Sequence, residues 1–77
     1  MRAKQQPFKN LAAKVQEERK SQGLTQTELA KLSGVSLNFI YQLESAKATV
    51  RMDKVLQVLS TLGLELNIRY GKLGISK

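Results

Sequence analysis

The feature that most constrains this chain is a set of small and apolar residues at fixed offsets between residues 26 and 45. Ala30 lies four positions after Gln26, Gly34 four after Ala30, and Ile40 six after Gly34. Two short helices approach closely only where a small side chain such as Ala30 stands at the crossing point. The tight turn between them needs a positive φ, which is cheap at Gly34 because glycine lacks a Cβ. Ile40 is then placed to point back from the second helix into the core, and Leu29, Val35 and Leu43 complete the apolar set that fixes the interhelical angle. Each residue alone is commonplace, but the combination is restrictive.

Local signals around this pair agree with it. Thr25-Gln26-Thr27-Glu28 reads as a capping box, with the Thr25 oxygen taking the Glu28 N–H while Glu28 reaches back. A short helix through Leu29, Ala30 and Leu32 is broken by Ser33-Gly34. Ser36 is a good N-cap for the next helix, which carries Phe39, Ile40 and Leu43 and fades near Ser45. Upstream, Pro7 suits a first helical turn, and Phe8, Leu11, Ala12, Val15 and Arg19 recur at helical spacing until Gly23, predicting a helix over residues 8–22. After a loop over residues 46–51, Met52, Val55, Leu56, Leu59 and Leu62 form another helical stripe, with Asp53 near its positive end and Gly63 as its stop.

The period then changes from helix to strand. Leu64, Leu66, Ile68 and Tyr70 alternate with Glu65, Asn67 and Arg69. An isolated strand cannot satisfy its own backbone groups, and no second strand is evident. The simplest expectation is pairing with the same strand of a second copy across a two-fold axis, with Leu64, Leu66 and Ile68 capping the helical core. The expected organisation is an N-terminal arm over 1–6, a helical domain over 7–63, a dimerising strand over 64–70 and a tail over 71–77.

Composition narrows the function classes. Seventy-seven residues allow one domain, and the chain has neither cysteine nor histidine. Disulfides, thiolate nucleophiles, Cys/His metal sites and the commonest general base are therefore excluded. Six scattered carboxylates without a glycine-rich phosphate loop make no catalytic set, so neither an enzyme nor a bound cofactor or metal is expected. A net charge of +7 favours a polyanionic partner. The basic residues are spread from Arg2 to Lys77 without a long block, as on a folded domain with a basic face. No stretch reaches the roughly 18–20 apolar residues that cross a membrane, and residues 1–6 lack the apolar core of a signal peptide. A cytoplasmic, nucleoid-associated location is expected.

Gly23-Leu24-Thr25-Gln26-Thr27-Glu28-Leu29-Ala30, with Gly34-Val35-Ser36 and Ile40, Leu43 and Glu44, resembles the Xre/Cro-repressor helix-turn-helix family over about residues 8–63. The resemblance implies a mainly α, lambda-repressor-like domain of four or five helices that binds DNA as a dimer, its third helix in the major groove. It implicates Ser36, Leu37, Asn38, Tyr41 and Gln42 as groove-facing. Asn38 and Gln42 have the chemistry to pair bidentately with adenine, and Leu37 or Tyr41 to pack on a thymine methyl. A solvated helix face is the competing reading of the polar pair, while Phe39 is read as core or edge packing. Gln26 matches the family's phosphate-contacting glutamine, with Thr25 beside it at the helix start. Lys47, Arg51 and Lys54 near the far end of the reading helix are further phosphate candidates, though any of them also suits a merely solvated surface. Arg19 and Glu44 match family positions that pair structurally.

Two departures stand out. The reading helix has no Arg or Lys for the common guanine contact, which suggests an A·T-leaning site or shape readout. Ala46 replaces a glycine usual after the glutamate, so the loop there is expected to avoid the left-handed region. Leu62-Gly63-Leu64-Glu65-Leu66 after four helices resembles the HipB-like antitoxin branch. That resemblance implies an autoregulatory repressor of an inverted-repeat operator that also binds a HipA-like kinase toxin. A phage- or plasmid-type repressor without a toxin, and a toxin-sequestering module with secondary DNA binding, are the alternatives.

Overall fold

The computed structural model describes residues 6–47 and 49–68. They form four helices, α1 (Gln6–Ser21), α2 (Gln26–Ser33), α3 (Leu37–Glu44) and α4 (Met52–Leu62). The α2 and α3 pair packs as the offsets around Ala30 require, α4 lies against α2, and α1 packs against both α3 and α4. Val15, Leu29, Ile40, Leu43, Val55 and Val58 are fully enclosed at the centre, so every helix contributes to one core. None of these helices is long and apolar enough to cross a membrane.

The caps form as the sequence indicates. Thr25 Oγ1 accepts from Glu28 N–H at 3.0 Å while Thr25 N–H donates to Glu28 Oε1 at 2.8 Å. Ser36 Oγ accepts from Phe39 N–H at 3.0 Å. Helix α1 begins ahead of the expected boundary, at Gln6, so Pro7 stands within its first turn.

All four helices stop in the same way, with a left-handed residue followed by a backbone hydrogen bond back to the last turn. The left-handed residues are Gly23, Gly34, Ala46 and Gly63. The N–H groups of Leu24, Val35, Lys47 and Leu64 donate to the carbonyls of Arg19, Ala30, Gln42 and Leu59 at 2.8–3.1 Å. After each glycine the next side chain, Leu24, Val35 or Leu64, folds onto the core. At Gly34 the backbone, not space, is the constraint. Its φ is +74°, and an added Cβ would meet nothing nearer than Gln57 Nε2 at 3.9 Å.

The expected avoidance of the left-handed region at Ala46 is incorrect, since its φ is +64°. Two hydrogen bonds hold the alanine there, from Ala46 N–H to the Leu43 carbonyl and from Lys47 N–H to the Gln42 carbonyl. They outweigh a steric cost of about 1 kcal/mol for a Cβ in this region.

Two apolar stripes also need correction. Helix α4 buries Val55, Val58, Leu59 and Leu62, while Met52 and Leu56 remain 51% and 47% exposed. The helix is wedged against α1 and α2, which rotates its buried face toward Val58 and away from Met52 and Leu56. Leu32 likewise faces solvent at the outer side of α2.

Residues 64–68 carry no strand. Leu64 packs on the core because the stop at Gly63 folds it inward, but Leu66 and Ile68 do not cap the core. They stand 47% and 94% exposed. The expected positions Arg69 and Tyr70, the arm before Gln6 and the tail over 71–77 lie outside the described residues.

Candidate nucleic-acid interface

The sides of α3 have opposite characters. Phe39, Ile40 and Leu43 are buried, so Phe39 is a packing residue, while Asn38 and Tyr41 face solvent one turn apart, followed by Ser45. Gln42 is half-buried beside them. Leu37 belongs less fully to this surface, because it packs against the core and presents only part of its side chain. Ser36 is exposed at the helix start with its oxygen engaged as the cap, which leaves its hydroxyl hydrogen as a donor. The outward surface is thus polar, uncharged and short, with an aromatic ring in the middle. Ser45 extends it by a turn, and the offsets within the motif did not single it out.

What holds that surface in place is an ion pair across the core. Arg19 Nε donates to Glu44 Oε2 at 2.7 Å and Arg19 Nη2 to Glu44 Oε1 at 3.1 Å, a bidentate fork joining α1 to the end of α3. Arg19 Nη1 also donates to the Leu24 carbonyl at 2.8 Å, so the same guanidinium ties down the turn before α2. Both side chains are nearly enclosed. A third donor reaches the carboxylate, because Gln26 Nε2 lies 3.0 Å from Glu44 Oε1. Gln26 is therefore half-buried and partly spent on holding α2 to α3, with one amide hydrogen left for another acceptor. Sequence reasoning identified Arg19 and Glu44 but not the engagement of Gln26 with them.

The cationic candidates differ in availability. Lys47 is exposed just beyond the end of α3, Lys54 is half-buried in the first turn of α4, and Thr25 is exposed at the start of α2. Arg51 is exposed but not free. Its Nε and Nη2 donate to the two oxygens of Asp53 at 3.1 and 2.7 Å. The hydrogen bond from Arg51 holds the Asp53 carboxyl below its ordinary value. A smaller desolvation effect opposes this, and the guanidinium charge and the Lys54 N–H act in the same direction as the hydrogen bond.

A helix-turn-helix family model matches residues 15–68, from the middle of α1 past the end of α4. The chain belongs to the helix-turn-helix family. It is also 49% identical over 59 residues to the uncharacterized HTH-type transcriptional regulator y4mF of Sinorhizobium fredii (strain NBRC 101917 / NGR234), a match covering 77% of this chain and 78% of that protein.

Within this helix-turn-helix protein, the geometry gives each part of the motif a distinct chemical capacity. The α3 face offers amide donors and acceptors in pairs, suited to base edges. The start of α2 offers hydroxyl and amide donors suited to phosphate oxygens. Charge is distributed differently again. All six acidic residues fall within 6–68, whereas Arg2, Lys4, Arg69, Lys72 and Lys77 lie outside that span.

Proposed function

We propose that this helix-turn-helix protein is a dimeric, sequence-specific DNA-binding transcriptional repressor. The observation that carries the reading is the outward face of α3, where Asn38 and Tyr41 stand exposed beside the half-buried Gln42 while the Arg19–Glu44 pair fixes the helix from behind. Amides on a rigid helix read adenine in the major groove, and the ring of Tyr41 suits a thymine methyl. Thr25, Gln26 and Lys47, with Arg51 when released from Asp53, supply phosphate contacts that set the register. The kinship with an HTH-type transcriptional regulator supports the regulatory role.

Dimerisation is supported by the exposed Leu66 and Ile68, which gain burial if residues 64–70 pair with the same segment of a second copy. Two reading helices would then sit about 34 Å apart on an inverted-repeat operator. The antitoxin role, with a HipA-like kinase toxin as partner, is supported by the resemblance over residues 62–66.

Selection of bound sites from random duplex DNA, repeated at two salt concentrations, tests this function. Enrichment of an A·T-leaning palindrome is the expected result. Binding with a steep salt slope and no enriched site would reduce the protein to a charge-driven DNA binder. Replacing Asn38 or Gln42 by Ala should relax base preference at one position by about 1–3 kcal/mol, whereas Gln26→Ala should weaken all sequences alike.

A further inference from the structure

Arg51 is oddly placed for a residue that serves stability alone. It is the N-cap of α4 and makes no side-chain cap bond, whereas Thr25 and Ser36 cap α2 and α3. A cation at the positive end of a helix is opposed by the helix dipole. The ion pair with Asp53 offsets little of that, since both side chains are more than half exposed. The pairing has another consequence. Through Nε and Nη2, Asp53 occupies one donor edge of the guanidinium, an edge suited to gripping a phosphate with two parallel hydrogen bonds.

We propose that Asp53 restrains the DNA affinity of this protein by occupying Arg51, so that Arg51 reaches a phosphate only by exchanging one anion for another. The restraint rests on the DNA-binding reading above and adds a residue that the motif does not contain. Phosphate and carboxylate compete for the same fork, and the displaced carboxylate repels the phosphate that replaces it. Because the pair is exposed, the exchange is cheap enough to occur on every binding event. The protein therefore binds DNA less tightly than its cations allow, which suits a regulator that must also leave its site.

The test compares Asp53→Asn and Asp53→Ser with Glu17→Gln, which changes the net charge equally and also breaks an exposed ion pair, that of Glu17 with Lys14 on α1, so that any excess gain belongs to the release of Arg51 itself. Asn and Ser keep an oxygen for the Lys54 N–H that Asp53 accepts, so α4 retains its start. Affinity is measured on a labelled duplex carrying the selected site and on a random duplex of the same length, at two salt concentrations. Both Asp53 variants should bind both duplexes about fivefold more tightly than Glu17→Gln, near the upper range for an exposed pair. The salt slope should steepen by about 0.9, the equivalent of one further phosphate. In an Arg51→Gln background the gain should vanish. Affinity equal to Glu17→Gln overturns the restraint, as does weaker binding or a gain that survives loss of Arg51. If the unaltered chain binds neither duplex, the DNA reading fails and the restraint falls with it.

Discussion

The side-chain amide of Gln26 donates to Glu44 Oε1 at 3.0 Å, which ties the first residue of α2 to the last residue of α3. Glu44 thus accepts from Gln26 on one side and from the Arg19 fork on the other. The three residues come from three helices, and together they fix where the α3 surface stands relative to the start of α2. A residue suited to phosphate contact is mechanically linked to the helix suited to base reading.

Removing the carboxylate should therefore act through stability. Glu44→Ala leaves the Arg19 guanidinium enclosed without its counter-charge, an arrangement that costs about 3–5 kcal/mol. Urea unfolding should show a midpoint lowered accordingly, a large part of the 5–15 kcal/mol that holds an ordinary domain together. The ratio of specific to random DNA binding, measured on the folded fraction, should change little. A variant that keeps its urea midpoint but loses base preference would mean that Glu44 serves recognition and not support.

The motif was readable because its residues are fixed by local geometry. Ala30 and Gly34 answer to a close crossing and a left-handed turn, and both constraints act within a few residues. The caps at Thr25 and Ser36 are local in the same sense. What the sequence hid depends on neighbours distant in the chain. Met52 and Leu56 fit a helical stripe as well as Val58 does, and only the wedging of α4 between α1 and α2 decides which is buried. Leu66 and Ile68 alternate like a strand, yet no partner strand is present among the described residues to satisfy one. At the candidate site, Asn38 and Tyr41 are exposed on the side of α3 opposite its buried residues. The links from Gln26 to Glu44 and from Arg51 to Asp53 depend on side-chain rotamers that no spacing rule encodes.

Ala46 marks the one helix stop built without glycine, and there the protein gives up stability. Its φ of +64° places a Cβ in the left-handed region. Ala46→Gly should stabilise by up to about 1 kcal/mol, reduced by the greater freedom of glycine in the unfolded chain. Thermal unfolding should show the rise. A lower melting temperature for the glycine variant would show that the Ala46 methyl makes packing contacts that matter more than the backbone strain.

Ser33 is the second such site. Its hydroxyl is buried near the end of α2 and has no hydrogen-bond partner among the described residues. An enclosed hydroxyl in this state costs about 1–3 kcal/mol relative to a paired one. Ser33→Ala removes the polar atom and keeps the small volume, so a gain of about 1 kcal/mol in unfolding free energy is expected. A loss on substitution would reveal a bound water or a partner group that satisfies the hydroxyl.

The Arg51–Asp53 pair also sets a pH dependence whose sign is fixed. The folded pKa of Asp53 is depressed, so its contribution to stability is present above the ordinary carboxylate range. That contribution is lost as pH falls through the depressed value. The melting-temperature difference between the unaltered chain and Asp53→Asn should stay constant from neutral pH to about pH 5 and shrink only in stronger acid. A difference that changes between pH 6 and 8 would contradict the assignment, since the chain has no histidine to titrate there.

Affinity and specificity should separate along the chain. The α3 face that suits base reading carries no cation, and Arg19 and Arg51 are both engaged by carboxylates. Five of the thirteen cations, Arg2, Lys4, Arg69, Lys72 and Lys77, lie outside the span 6–68 that holds all six acidic residues. Each phosphate neutralised contributes about 0.9 to the slope of log affinity against log salt. Replacing Arg2 and Lys4 by Gln, or the three C-terminal cations by Gln, should flatten that slope by up to one step per residue removed. The preference for the selected site over random DNA should survive either change. Asn38→Ala should do the reverse, keeping the slope and losing preference at one base pair. If the terminal variants keep the full slope, the phosphate grip comes from cations of the helical domain, Lys47, Arg51 and Lys54 among them, together with the start of α2.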